Sequence, residues 1–309
     1  MHWGQIKTLL ILSFFVLDIY LFVQFMEKKE VSDIAILEEQ SSSIEEQLKA
    51  ESIEVKNLPE EEYEETFISV EQKNFSEDEL EDESDVKKQK SYIFHHSLIA
   101  SQLDSPIKLK EDASEATIKE IFRDTIYFSD EYSFWNWNKE LNVIILFQNK
   151  MDRPVYYNQN GVVLLFLNDK NEIEYYTQTM LGEAETISEQ QKLIEPMQAI
   201  EELYDDNELY AGDQIRSVNI GFHTRVPFES GVQVFAPIWK VNVNEEKDYF
   251  VNAIEGFTFS SDEEDFLGNV IEYNIDKMQM KRKKDSPADD MLKDLKEREE
   301  VLKGNEVKS

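Results

Sequence analysis

The 309-residue chain contains no cysteine. That excludes a disulfide framework, thiolate metal sites and a cysteine nucleophile. It has four histidines, too few for a histidine-rich metal cluster, and nine glycines, which leaves little material for phosphate-cradling loops. No G-x-G-x-x-G, Walker A, G-x-S-x-G or H-E-x-x-H pattern occurs. Basic residues are also in short supply. The 32 Lys and Arg stand against 65 Asp and Glu, a formal net charge of -33. Such a polyanion is repelled by phosphate backbones, so nucleic acid is excluded as a partner class. The chain is not short of apolar material. At 41% hydrophobic and 12% aromatic residues it can bury a core, which argues against wholesale disorder.

The one long apolar run lies at the start. From Thr8 to Met26 the polar interruptions are Thr8, Ser13, Asp18 and Gln24. Nineteen helical residues span about 28 Å, close to a bilayer's hydrocarbon core. A signal peptide would carry a shorter apolar region ending in small residues. Here the exit reads Gln24-Phe25-Met26-Glu27-Lys28-Lys29, so an uncleaved anchor is expected. The flanking charges are nearly even. The few residues before the run and the lack of a second span favour a cytoplasmic N-terminus with the bulk of the chain outside. Localisation is therefore read as a single-pass cell-membrane protein.

Asp18 sits in the middle of this run. A mid-membrane Asp costs about 2.5–3.5 kcal/mol, against roughly −4 to −8 kcal/mol from the thirteen Leu, Ile, Phe and Val around it. Insertion therefore survives the charge. Asp18 is read as a helix–helix contact, sharing its face with Ile11, Phe14, Phe15, Leu21, Phe22 and Phe25. The competing reading is a protonated Asp tolerated by local water.

Beyond the anchor, residues 31–90 are acidic. Helical spacing suggests a helix over 32–50, with short strands at 53–55 and 66–70 and a solvated linker over 76–90. Strand character returns at 92–94 and a helix is expected over Glu115–Arg123. A buried strand follows at 143–147, and 154–161 holds a strand and a turn. A hairpin joins 162–167 to 172–179 across Asn168-Asp169-Lys170-Asn171. The best amphipathic pattern covers 188–206, with Ser188 as its N-cap. Strands at 215–224, 232–243 and 249–251 complete an α+β reading. The tail from Lys281 shows almost no apolar stripe and is placed outside the core.

Candidate chemistry is sparse. Carboxylates are everywhere and discriminate nothing. His95 and His96 would point to opposite faces of a strand, which argues against a joint metal site. His223 reads as an ordinary strand residue. Asn74-Phe75-Ser76 is a weak glycosylation match. Trp135 and Trp137, spaced by two, should share one strand face, first as a core edge and alternatively as a platform for sugar rings. The acidic run Asp262-Glu263-Glu264-Asp265 lacks EF-hand spacing and reads as solvated acid. No cofactor, metal or catalytic residue is assigned.

The anchor resembles the start of the YycI (WalI) family in Trp3, Ile6, Lys7 and Leu17-Asp18-Ile19. Blocks at 148–158 (QNKMDRPVYYN), 176–179, 199–204, 220–224, 234–239 and 251–256 are similar too. The resemblance implies a membrane-anchored regulator, not an enzyme. It would act with a sister protein, YycH, on the sensor histidine kinase WalK (YycG) that governs cell-wall metabolism. Membrane lipid would surround the anchor. An exported module that binds wall glycan is the alternative. The implied fold is an N-terminal transmembrane helix followed by two modules, each a helix on an antiparallel sheet. The boundaries expected are 1–30 for the anchor, 31–112 and 113–275 for the modules, and 276–309 for the tail.

Overall fold

A computed structural model describes residues 12–15, 17, 19, 20, 22, 43–59, 63–82, 86, 88–224, 231–279 and 287–306. By Cα proximity the chain divides into two compact units, Met1–Glu54 with Tyr210–Gly212, and Val55–Leu209 with Asp213–Ser309. In the first, helix α1 (Ile44–Ala50) ends at Glu51, whose N–H donates to Gln47 O. Its acidic residues Glu45 and Glu46 lie in the first turn and Lys49 in the last, which suits the helix dipole. Of the apolar N-terminal run, residues 12–15, 17, 19, 20 and 22 are described, and they are helical and exposed. Among the described residues no helix is long and apolar enough to cross a membrane.

Short strand β1 (Glu54–Val55) leads into the second unit, followed by β2 (Glu64–Glu65), β3 (Ile68–Gln72) and helix α2 (Glu77–Asp82). Then come β4 (Gln89–Phe94), β5 (Leu98–Lys108), α3 (Glu115–Arg123), β6 (Tyr132–Asn138), β7 (Val143–Lys150) and β8 (Arg153–Pro154). The chain continues through β9 (Val162–Leu167), β10 (Glu172–Gln178), β11 (Leu181–Thr186), β12 (Gln191–Lys192) and α4 (Pro196–Asp205). It closes with β13 (Gln214–His223), β14 (Val232–Val243), β15 (Lys247–Asn252), β16 (Thr258–Phe259), α5 (Glu263–Gln279) and α6 (Pro287–Glu306). The α+β class is as expected.

One antiparallel sheet runs in the order β4-β5-β10-β9-β7-β6. Its central strands VIILFQNK and VVLLFL carry apolar residues without alternation because both faces are covered. On one face Ile144, Leu146, Val163 and Leu165 pack with Ile118 and Phe122 of α3. On the other, Val143, Ile145, Leu164 and Phe166 pack with α5 and α6. A second sheet runs β13-β14-β15-β16, and β3 joins the early half of β14 to β11. Helix α4 lies against β14 and β15. The indole N–H of Trp239 on β14 donates to Ile194 O at 3.0 Å, just before that helix. Both sheets draw strands from either side of residue 112, so the expected module boundary does not separate them.

Three expectations need correction. The tail is not outside the core. Helix α6 buries Met291, Leu292, Leu295 and Leu302. Their positions form a stripe interrupted by Arg298, which made the segment read as polar. That guanidinium is itself largely covered, with its side chain 15% exposed, and donates to the carbonyls of Leu141 and Leu167 and to Asp294. The helix expected over 188–206 begins only at Pro196 with Glu195 as its cap, because proline suits the first helical position and terminates a helix on its N-terminal side. Ser188 instead meets the Thr66 hydroxyl at 2.8 Å. The linker at 76–90 holds α2 and the start of β4. Ser76 Oγ accepts from Glu79 N–H and Glu79 accepts from Ser76 N–H, a reciprocal cap that the S-x-x-E spacing could have revealed.

Candidate functional site

The Trp135-Asn136-Trp137-Asn138 segment does not form a two-ring platform. The β6–β7 register shifts between Phe134 and Asn136, a bulge that reverses the parity of the strand. Trp137 is buried with the α3 side of the sheet, while Trp135 lies on the opposite side against Phe147, Tyr156 and Tyr157. The ammonium of Lys240 sits 4.6 Å from the Trp135 ring centroid and occupies a face that a sugar would need. A polar cleft of about 440 Å³ opens beside Trp135, Tyr156, Asn219 and Lys240. Lys240 is paired with Asp248 at 3.4 Å.

The motif's amides have a structural task. Trp135 Nε1 donates to Glu263 Oε2 at 3.1 Å, Asn136 Nδ2 donates to both carboxylate oxygens, and Asn138 Nδ2 donates to Oε1 at 3.1 Å. Glu263 begins α5, so one carboxylate pins the helix's start to the sheet edge. The acidic run around it caps the helix: Asp262 Oδ1 accepts from Asp265 N–H. Acid here is placed by the helix dipole. Among the described residues no group of three His, Asp or Glu could hold a metal ion.

A belt of buried amides lies deeper. Gln148, fully buried on β7, accepts from Leu181 N–H at 2.7 Å and donates to Leu181 O at 3.0 Å. Asn158 donates to Gln233 Oε1 at 2.7 Å and Gln178 to Tyr127 O at 2.7 Å. Asn274 of α5 donates to Thr177 Oγ1 at 3.0 Å. Gly221 lies under Tyr156, whose ring atom sits 2.3 Å from where a Cβ would be. These residues belong to, or bond to, the sequence blocks on which the family resemblance rests. The blocks therefore carry the joining of strands and sheets, because a buried amide demands a partner at one geometry.

A cleft of about 610 Å³ runs along β4. Leu80, Glu77 and Glu81 of α2 form one wall, and Met278, Asp289 and Leu292 of α5 and α6 contribute to another. No sequence pattern marked it, since its walls come from segments as far apart in the chain as Glu77 and Leu292. At the end of β4, His95 and His96 occupy the turn to β5 with φ of 49° and 59°, and do not lie on a strand.

Ionisable groups show few site-like shifts. Burial lowers His223 to about 4, where its ring lies 4.5 Å from Phe259. Burial also pushes up the hydroxyls of Tyr132, Tyr156 and Tyr176. The side-chain hydrogen bond from Lys73 holds Glu79 below its usual range. None forms an acid–base pair in a cleft. Of the residues expected to share a face with Asp18, Phe14, Phe15 and Phe22 are helical and about 60% exposed. Asp18, Ile11, Leu21 and Phe25 lie outside the described residues.

A family model described as "YycI protein" matches residues 31–254. No curated protein matches. A crystal structure of an uncharacterized protein from Eubacterium rectale is similar at a TM-score of 0.41 and 11% identity, covering 68% of this chain and 91% of that one.

Proposed function

From the premise that this chain belongs to the YycI family, we propose that it acts at the cell membrane on the sensor kinase WalK (YycG), together with YycH. Membership itself makes the protein an accessory regulator of the WalK/WalR two-component system, in a family not known for catalysis. The match over residues 31–254 is the observation that carries the reading.

The finer mechanism assigns two kinds of contact. Residues 8–26 span the membrane with the N-terminus in the cytoplasm, and the Asp18 face, including Phe14, Phe15 and Phe22, meets partner spans. The exposure of Leu12, Phe14, Phe15, Leu17, Ile19 and Phe22 supports this, since such a surface is costly in water and natural in lipid. A mid-span carboxyl seeks a polar partner on a neighbouring helix. The folded exterior unit meets YycH and the kinase exterior. Regulation then requires unequal affinity for the kinase's two signalling states, because a partner that binds both equally shifts nothing.

The test is purification of the full-length protein in mild detergent from its own membranes, with mass spectrometry of co-purifying proteins. Parallel samples carry Asp18→Leu or an unrelated span in place of residues 4–26. Recovery of the kinase and YycH with the native span, and their loss with both changes, is expected. Equal recovery from all three would defeat the membrane contact. Absence of the kinase from every sample would defeat the direct association.

A further inference from the structure

We propose that the outer edge of β4 is a docking site for an extended, cationic segment of another polypeptide, which adds to the sheet as a further strand. The inference supplies an exterior contact for the regulator described above, but it rests on the sheet edge itself.

Strand β4 ends the sheet and pairs on one side with β5 through six consecutive residues, Gln89 to Phe94, with no register break. Among the described residues no strand pairs with its other side. A regular, unpaired edge is a template for strand addition, and folded proteins usually blunt such edges. The opposite edge of this sheet is blunted. There β6 carries its bulge, and its amides are tied to Glu263. On β4 the one charge is Lys90, near the start of the strand.

The space beside β4 is walled rather than open. The cleft of about 610 Å³ lies along it, with Tyr92, Ile93 and Leu80 offering apolar surface to alternate side chains of an incoming strand. Six residues of strand span about 20 Å, long enough for a ladder of several hydrogen bonds. The occupant's charge follows from the rim. Among the described residues, the charged side chains lining the cleft are Glu77, Glu81 and Asp289. A segment with lysine or arginine beside apolar residues is complementary, and an acidic one is repelled.

The test uses the full-length protein in lipid nanodiscs and a fluorescent peptide of about seven residues that alternates lysine with valine. Binding is read by anisotropy, and backbone exchange of residues 89–94 by hydrogen–deuterium mass spectrometry. The peptide should bind and protect β4. Strand addition uses one edge of the peptide, so N-methylation of every valine or of every lysine should give unequal losses. One isomer should lose at least about tenfold while the other stays near the parent. The pair Glu77→Gln and Glu81→Gln, both on the exposed side of α2, should weaken binding about fivefold at low salt and less at high salt.

Failure of the lysine–valine peptide to bind, equal binding of both methylated isomers, or equal binding of a glutamate–valine peptide would overturn the proposal. So would unchanged exchange of β4 at saturation. Protection of β4 before any peptide is added would assign the edge to this chain or a second copy. The assay contains no kinase, so its failure leaves the regulator reading standing. Loss of kinase recovery in the span swap leaves the β4 edge standing.

Discussion

Trp135 donates its indole N–H to Glu263 across 3.1 Å, joining a sheet-edge strand to the first residue of a helix 128 positions away in sequence. With Asn136 and Asn138 also donating, the carboxylate accepts from three side chains. A sequence cluster that looks like a ligand platform is here a clamp for α5.

Removing the acceptor should therefore loosen the helix. Glu263→Ala leaves three donors without their charged partner, and a hydrogen bond to a charged group contributes about 1.5–3 kcal/mol. The site is partly exposed, so we expect about 1–2 kcal/mol in urea unfolding, with less from Glu263→Gln. No change in the midpoint for Glu263→Ala would remove the clamp.

The C-terminal helix should behave as core. Leu295 is fully buried among sheet residues, so Leu295→Ala should cost about 2–5 kcal/mol. Val301 on the same helix is 49% exposed, and Val301→Ala should stay within about 0.5 kcal/mol. Similar effects of the two changes would contradict the packing of α6.

Two glycines should respond with opposite signs. Gly221→Ala drives a methyl into Tyr156 and to 2.9 Å from Pro154 O, an overpacking that costs about 1–3 kcal/mol. Gly268 sits within α5 with nothing near its absent Cβ, and Gly268→Ala should stabilise by about 0.5–1 kcal/mol. Thermal unfolding of the two variants checks both, and a stabilised Gly221→Ala would refute the close approach.

Acid should destabilise the fold partly through His223. Its folded pKa, about 4, lies below the ordinary 6.5. Between those values the unfolded chain binds more protons, so stability rises with pH. The contribution is complete above about pH 6.5 and is lost as pH falls toward 4, on the order of 3 kcal/mol. His223→Phe keeps a ring beside Phe250 and Phe259 and should flatten this part of the curve. An unchanged slope between pH 4 and 6.5 would rule the residue out.

Local patterns were legible wherever a segment's own residues set its conformation. Helix Glu115–Arg123, with Ser114 capping it, falls where the sequence predicts it. The doubly buried strand beginning at Val143 and the hairpin of β9 and β10 were readable from apolar runs and turn residues. Scarcity of glycine was informative in another way. Of the left-handed positions described, asparagine holds five and glycine three, because a short amide side chain tolerates positive φ. Periodicity failed where a charged residue took a core position, as Arg298 does in α6, and where proline reset a helix start, as Pro196 does.

The sequence by itself determined the excluded chemistries, the α+β class, the apolar N-terminal run with its central Asp18 and, through blocks such as 148–158, the family. These follow from composition and from spacing along one segment. Tertiary structure alone decided which faces meet. A single extra residue in β6 sent Trp135 and Trp137 to opposite sides of the sheet. Arg298 became a core residue because two strand carbonyls, Leu141 and Leu167, lie within its reach. The cleft along β4 exists because α2, α5 and α6 converge there. Such features depend on partners far away in the chain, and no local pattern encodes the distance between them.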